Sequence, residues 1–537
     1  MSITSLTFLL FVMGTLIVYF IVPGRLQWMV LLCASLIFYA SYSPMGLPVM
    51  IATVLAAWLC ALRIQRIRDE QAAWLAENKK TVDRETRKQV TARYAKRQGR
   101  YVLLCCVVTL GLLFLLKYYR GFAVSINALT GLHLWTAENL LLPLGLSYYS
   151  LQLIGYVTDV SRGVVEAERN PLKVLLYGGF FLSILQGPFN RYDKLAPQLF
   201  PAEKRRPDWS AMPGALLRIL GGVIKKMVIA DRVGMVVYEV FSSGNMHGGL
   251  AYIFGLVCFA LQLYADFSGY MDIVCGVGGL FGITLPENFR QPFFAQSISE
   301  FWNRWHMSLG QWLKDYVFYP ILKSSAWRTM GKWMTARFGK NAGRSIPTYL
   351  GMLVLWTLIG FWHGAGFHYV FSVGLLQFAY IFLGEITKPL CTKIKAALHL
   401  RDENRLWQVF RCLRTTALMM LAWVFFKLPA IRDGLLTLRT MAGIRSWDPM
   451  QVLMIFQHGG QLQSQSPVVW VVFTALCIIA MLWCDALREK GQGLRERILK
   501  AHPAAQAVIW AVLIAAVVLL GVYGPASSAA NFIYFDF

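Results

Sequence analysis

The chain has 537 residues, of which 57% are hydrophobic and 15% charged, with a formal net charge of +24 and a mean hydropathy of +0.50. Soluble domains carry about 25% charged residues, so the composition excludes an ordinary soluble globular protein. The positive balance alone would fit a nucleic-acid binder, but the basic residues fall between long apolar runs, where cytoplasmic loops of membrane proteins carry them. No nucleic-acid partner is expected.

A helix needs about 20 apolar residues to cross a hydrocarbon core of roughly 30 Å. Clear runs lie at 4–22, 26–42, 46–62, 101–119, 214–230, 248–265, 347–362, 366–384, 411–429, 467–484 and 506–523, and shorter or more polar ones at 139–160, 173–187 and 269–285. From these candidates 11 to 13 spans are expected. The runs lack the alternation of a membrane β-barrel, and backbone groups in lipid must be satisfied within each segment. The expected fold is therefore all-α and polytopic. The first basic residue is Arg25, so no charged n-region precedes the first run, which is expected to remain as a span.

Segment 63–100 holds 12 Lys/Arg against 5 Asp/Glu, and 323–344 holds Lys323, Arg328, Lys332, Arg337, Lys340 and Arg344 with no acid. Both read as cytoplasmic surface near anionic lipid. The segment 485–505 sets Arg488, Lys490, Arg495, Arg497 and Lys500 against three acids. It reads as cytoplasmic too, so the last run points outward and the tail GPASSAANFIYFDF ends outside. The chain is thus expected to divide into a membrane core, 1–484, and a segment 485–537 comprising a cytoplasmic loop, a final outward helix and that tail. The ten cysteines show no CxxC or metal spacing and read as small buried thiols.

Polar residues enter the apolar background over 264–368. In SEFWNRWHMSLGQWLKDYVFYPI, 299–321, residues 301–316 fit one helix with Phe301, Trp305, Trp312 and Tyr316 on an apolar face and Arg304, Ser308, Gln311 and Asp315 on the other. His306 falls beside the aromatic stripe. Such a helix suits the membrane boundary as an anchor, but an anchor needs no buried histidine. In LIGFWHGAGFHY, 358–369, His363 stands beside Gly364 and Gly366. Glycines at membrane depth suggest a broken helix facing protein or a cavity, and an ionisable group there is a functional candidate, although a hydrogen-bonded core histidine would satisfy the pattern too. Asp266 and Asp272 in YADFSGYMD could orient a histidine, carry protons or pair with Arg290 or Arg304. No metal-ligand spacing, P-loop, dinucleotide glycine pattern or nucleophile elbow is present.

The string DFSGYMDI…GLFGITLPENFRQPFFAQSISEFWNRWHMSLGQWLKDYVFYPI followed by GFWHG resembles the membrane-bound O-acyltransferase family. The likeness is to its bacterial polysaccharide branch, which includes alginate O-acetylase and teichoic acid D-alanyl transferase. LSILQGPFNRYDKLAPQLF, 182–200, is similar to an earlier family segment at Gly187, Pro188 and Arg191. The resemblance implies membrane helices with interfacial or re-entrant helices around a central funnel. It implies His363 as the catalytic residue and His306 as its supporting partner. Trp302, Asn303, Arg304, Trp305, Ser308, Trp362, Asp266 and Arg191 are the expected substrate-binding or tunnel-lining residues, with no metal. The implied donor is a cytoplasmic thioester, acetyl-coenzyme A or an acyl carrier protein, and the acceptor an extracytoplasmic polysaccharide. An acyltransferase partner protein outside the bacterial cytoplasmic membrane is also implied. Transfer of D-alanyl or another acyl group, or a transporter role, stays open. The ending FIYFDF is similar to a Phe-x-Tyr-x-x-Phe ending in this system and makes Tyr534, between Phe532 and Phe537, a candidate acyl relay.

Overall fold

The computed structural model describes residues 1–79, 81–130, 143–242, 247–364, 366–443, 447–458 and 466–523. Among them the regular structure is helical, and the one strand-like feature is an isolated antiparallel bridge between Phe289 and Trp305. Nine of the described helices are long and apolar enough to cross a membrane: Gly24–Tyr42, Pro44–Glu77, Arg84–Tyr118, Gly249–Leu280, Ser325–His363, Phe367–Ala397, Arg405–Lys427, Val468–Glu489 and Pro503–Leu520. The run at 4–22 forms the shorter Leu6–Ile21 helix. The candidates at 139–160 and 173–187 correspond to Leu146–Arg162 and Pro171–Gly179, and 214–230 passes through a π-helical turn at Ile224–Ala230 into Asp231–Ser242. The chain is a polytopic, all-α membrane protein.

Helix starts follow local chemistry. Asp83 Oδ2 accepts from the N–H groups of Glu85 and Thr86 at 3.0 and 3.3 Å, and Asn404 Oδ1 accepts from Leu406 and Trp407 at 2.9 and 3.3 Å. Each satisfies donors that a helix cannot pair within itself.

Contacts divide the chain into two units, Met1–Met212 with Val277–Pro286, and Pro213–Gly276 with the described residues from Glu287 onward. In the first, Leu146–Arg162 is buried almost all round, and its Asp159 meets Arg191 at 3.5 Å.

In the second unit, the helix beginning at Gly249 packs closely on Met212–Val223. A Cβ on Gly222 would stand 2.6 Å from the Gly269 carbonyl oxygen, and one on Gly276 would stand 2.9 Å from that of Ala215. Only glycine allows this approach, the usual device for close helix packing where lipid supplies no hydrophobic driving force. The same contact carries buried charge. Lys226 Nζ lies 2.6 Å from both Asp266 Oδ1 and Asp231 Oδ1, and Asp272 pairs with Lys225 at 2.8 Å and Arg218 at 3.0 Å. The ion-pair partners of Asp266 and Asp272 are thus these cations, one packed helix away, and not Arg290 or Arg304.

Ser325–His363 is not one straight rod. Gly339 adopts φ 86°, and the chain reverses there so that Trp327 Nε1 donates to the Pro347 carbonyl at 3.0 Å. The resulting helical hairpin exposes Lys323, Arg328, Lys332, Arg337, Lys340 and Arg344.

Candidate active site

The RWH segment departs from the continuous helix that its periodicity suggests. Ile298–Arg304 and Met307–Leu313 are separate helices. Ser297 caps the first, accepting from Glu300 N–H at 3.1 Å, while the Glu300 carboxylate accepts from the N–H of Gln296, the residue before the cap, at 2.8 Å. Between the helices Trp305 is extended and His306 is left-handed at φ 48°, ψ 49°. The cause lies about 18 residues upstream. Arg290 N–H donates to the Arg304 carbonyl at 2.9 Å, Met307 N–H donates to the Asn288 carbonyl at 3.1 Å, and Ser308 N–H donates to Asn288 Oδ1 at 2.9 Å. These bonds replace the helical ones at the break. A non-glycine residue at positive φ is held only where its surroundings over-determine it, and here the Asn288–Arg290 segment does so.

His306 is buried, with Phe267 edge-on at 4.9 Å between ring centroids. Its Nδ1 faces Asn288 Oδ1 at 3.5 Å, an oxygen that can only accept, so Nδ1 is the ring nitrogen placed to donate there. Burial pushes the imidazole down to about 3, and the neighbouring His363 adds to the effect. His306 is therefore neutral near pH 7.

His363 is the last residue of the Ser325–His363 helix, buried, with Trp362 and Phe426 edge-on at 5.0 and 5.6 Å. The helix end sits tightly on the π-helical turn Val370–Leu375. A Cβ on Gly360 would stand 2.6 Å from Val370 Cα, and one on Gly374 2.9 Å from the Trp356 carbonyl oxygen.

Both histidines line one cavity of about 280 Å³, together with Trp302, Asn303, Trp305, Trp356, Trp423 and Phe426. Leu309, Leu313, Met352, Leu355, Ile359, Val373 and Ile381 make the rest mainly apolar. Lys314 and Asn303 bring polarity to the wall and bond to each other at 2.9 Å. Trp302 Nε1 is engaged by Gln377 Oε1 at 3.1 Å. The arrangement suits a buried base working on a substrate in a water-poor space. Among the described residues no group of three or more His, Cys, Asp or Glu is placed to hold a metal ion.

Of the residues expected around the tunnel, Trp302, Asn303 and Trp305 line this cavity, and Trp362 stands beside both histidine rings without lining it. Arg304 is turned to Glu300 and Glu489, Ser308 is held by Asn288, and Asp266 is paired with Lys226. Arg191 belongs to the first unit. Phe532, Tyr534 and Phe537 lie outside the described residues. Sequence reading passed over Asn288, Gln377 and Lys314. The prolines bracketing Asn288, Pro286 and Pro292, were the available sign that 287–291 is not helical.

The probable alginate O-acetylase AlgI of Pseudomonas syringae pv. tomato is 31% identical over 331 residues, covering 61% of this chain and 58% of that protein. The peptidoglycan O-acetyltransferase of Helicobacter pylori is 25% identical over 441 residues, covering 78% and 73%. The teichoic acid D-alanyltransferase of Bacillus subtilis is 31% identical over 237 residues, covering 43% and 56%. The matched region spans 52 to 61% of the length of the first three alginate O-acetylases it resembles. Residues 37–335, more than half of the chain and including the RWH break, match the model of one family. By that match the chain belongs to the membrane-bound O-acyltransferase family.

Proposed function

We propose that this chain transfers an acyl group, acetyl before any other, from a thioester made in the cytoplasm toward a hydroxyl of an extracytoplasmic polysaccharide, from within a bacterial cytoplasmic membrane. One observation carries the reading: two buried histidines from distant parts of the chain share the wall of one mainly apolar cavity. The hydroxyl that meets the thioester, that of Tyr534 in the relay set out below, is a poor nucleophile near neutral pH. His363 would take its proton as the oxygen adds to the acyl carbonyl. The tetrahedral intermediate then collapses, the carbon–sulfur bond breaks, and the proton passes to the departing thiolate. A positioned base of this kind contributes about 10²–10⁴ in rate. His306, neutral and fixed by Asn288, supports it.

Export and acylation of the polymer separate this reading from a transporter. Cells carrying His306→Ala are expected to export polymer with strongly reduced acylation. Normal acylation in that variant, or loss of export itself, would count against the enzyme. The similarity to the D-alanyltransferase supports a second reading, D-alanyl transfer to a cell-wall polymer, tested by offering a D-alanyl carrier-protein thioester in place of acetyl-coenzyme A.

The donor side of the proposal rests on the basic hairpin. Its exposed cations, with no acid among them, would attract a donor's phosphates or an acidic carrier protein. Charge reversal at Lys323, Arg328 and Lys332 together is expected to raise KM for the donor more than it lowers kcat. An unchanged KM at low salt would refute this.

On the far side, Tyr534 would carry the group outward. A phenolate, with a pKa of about 10, leaves more readily than an alkoxide, so a tyrosyl ester can pass its acyl group on to a partner transferase or the sugar. Tyr534→Phe keeps the ring and removes only the oxygen. It is expected to abolish polymer acylation, and wild-type acylation in that variant would end the relay.

A further inference from the structure

The His306 break is also held by a part of the chain about 180 residues away in sequence. The Val468–Glu489 helix carries Asp485 and Glu489, four residues apart and so on one face. Glu489 receives a two-pronged ion pair from Arg304, Nη1 to Oε2 and Nη2 to Oε1, both at 2.9 Å. The same guanidinium reaches Glu300 at 2.7 Å, and its side chain is 15% exposed. Asp485 Oδ2 accepts from the Tyr264 hydroxyl at 2.8 Å. The Tyr264 ring packs against Phe289 and Trp305, at 5.8 and 6.1 Å between centroids, and these two residues form the bridge that opens the helix.

One acid thus fixes the guanidinium of the residue before Trp305, and the other fixes the ring packed on Trp305 and on its bridge partner. Neither acid lines the cavity. A planar fork bound at both oxygens sets orientation as well as distance, which a lysine point charge does not. We infer that Asp485 and Glu489 are positioning residues that hold the Trp305–His306 break in its left-handed form. The end of the Val468–Glu489 helix is therefore part of the active-site framework. The inference rests on the acyl-transfer reading only for the kinetic arm of its test.

Hydrogen–deuterium exchange of the full chain in detergent micelles, wild type against Glu489→Gln, reads the clamp without any activity. Peptides covering 286–310 are expected to exchange about tenfold faster, because the amides of Arg290, Met307 and Ser308 lose their fixed partners, while peptides covering 24–42 stay unchanged. No change over 286–310 would overturn the inference. So would an equal rise in every peptide, which marks general loosening. If Glu489→Gln does not accumulate, Tyr264→Phe removes only the hydroxyl held by Asp485 and is expected to give the same local rise; its absence there overturns the inference equally.

In the kinetic arm, with [14C]acetyl-coenzyme A as probe, Glu489→Gln is expected to lower kcat about tenfold while KM stays within about twofold. Combined with His306→Ala it should add no further loss, and a full additive loss would contradict the positioning role. A wild type unable to transfer the label would speak against the acyl-transfer reading, while the exchange result would still decide the clamp.

Discussion

Replacing His363 with alanine is expected to lower acyl transfer by about 10²–10⁴, the contribution of a positioned general base, while the protein accumulates in the membrane as before. The side chain stands at a helix end, against Trp362 and Phe426, on the wall of the cavity. The backbone there is fixed by the close contacts of Gly360 and Gly374, which the substitution leaves in place. The pH profile adds a second check. His306, pushed down to about 3, stays neutral across the range where imidazoles ordinarily titrate. His306 is therefore expected to contribute no acid limb to kcat/KM at about pH 5–8. For stability the sign is opposite to that of a stabilised imidazolium. The unfolded chain takes up the proton first, at about pH 6.5, so His306 makes the fold less stable as pH falls from there toward 3 and adds no pH dependence above it. Activity and thermal unfolding in detergent, each measured from pH 4 to 9 in wild type, check the two statements.

The largest stability effect is expected at Lys226. Its ammonium, 3% exposed, stands between Asp231 and Asp266 at 2.6 Å from each. Lys226→Met would leave two buried carboxylates facing one another, and breaking a buried ion pair from one side costs about 3–5 kcal/mol. Adding Asp266→Asn to that variant is expected to recover part of the loss, because one of the orphaned charges is then gone. Thermal unfolding in detergent measures both variants. A Lys226→Met protein as stable as wild type would show that the triad is hydrated and contributes little.

Hydropathy alone was enough to reach the fold class, because a membrane span must be written as one long apolar run. The two histidines were legible for a related reason: an ionisable group or a helix-breaking glycine stands out against such a background, as His363 and Gly364 do. The break at Trp305–His306 was not legible. The aromatic spacing of 301–316 satisfies a helix, and what opens it is a competing set of backbone bonds from Asn288 and Arg290, which no local pattern records. The reversal at Gly339 was hidden likewise, since a single glycine within a basic stretch suits a helix or a turn. Partner choice was the least accessible. Asp266 finds Lys226, and Arg304 finds Glu489, through helix packing that brings distant residues together.

The most direct test of the central claim uses sealed, inside-out membrane vesicles from cells making this chain, with acceptor polysaccharide enclosed and [14C]acetyl-coenzyme A supplied to the exposed cytoplasmic face. The acyl-transfer account predicts label recovered inside the vesicles as an alkali-labile ester on the polysaccharide, and none when His363 is replaced by alanine. Enclosed polysaccharide without label, or equal labelling in the His363→Ala vesicles, would contradict it.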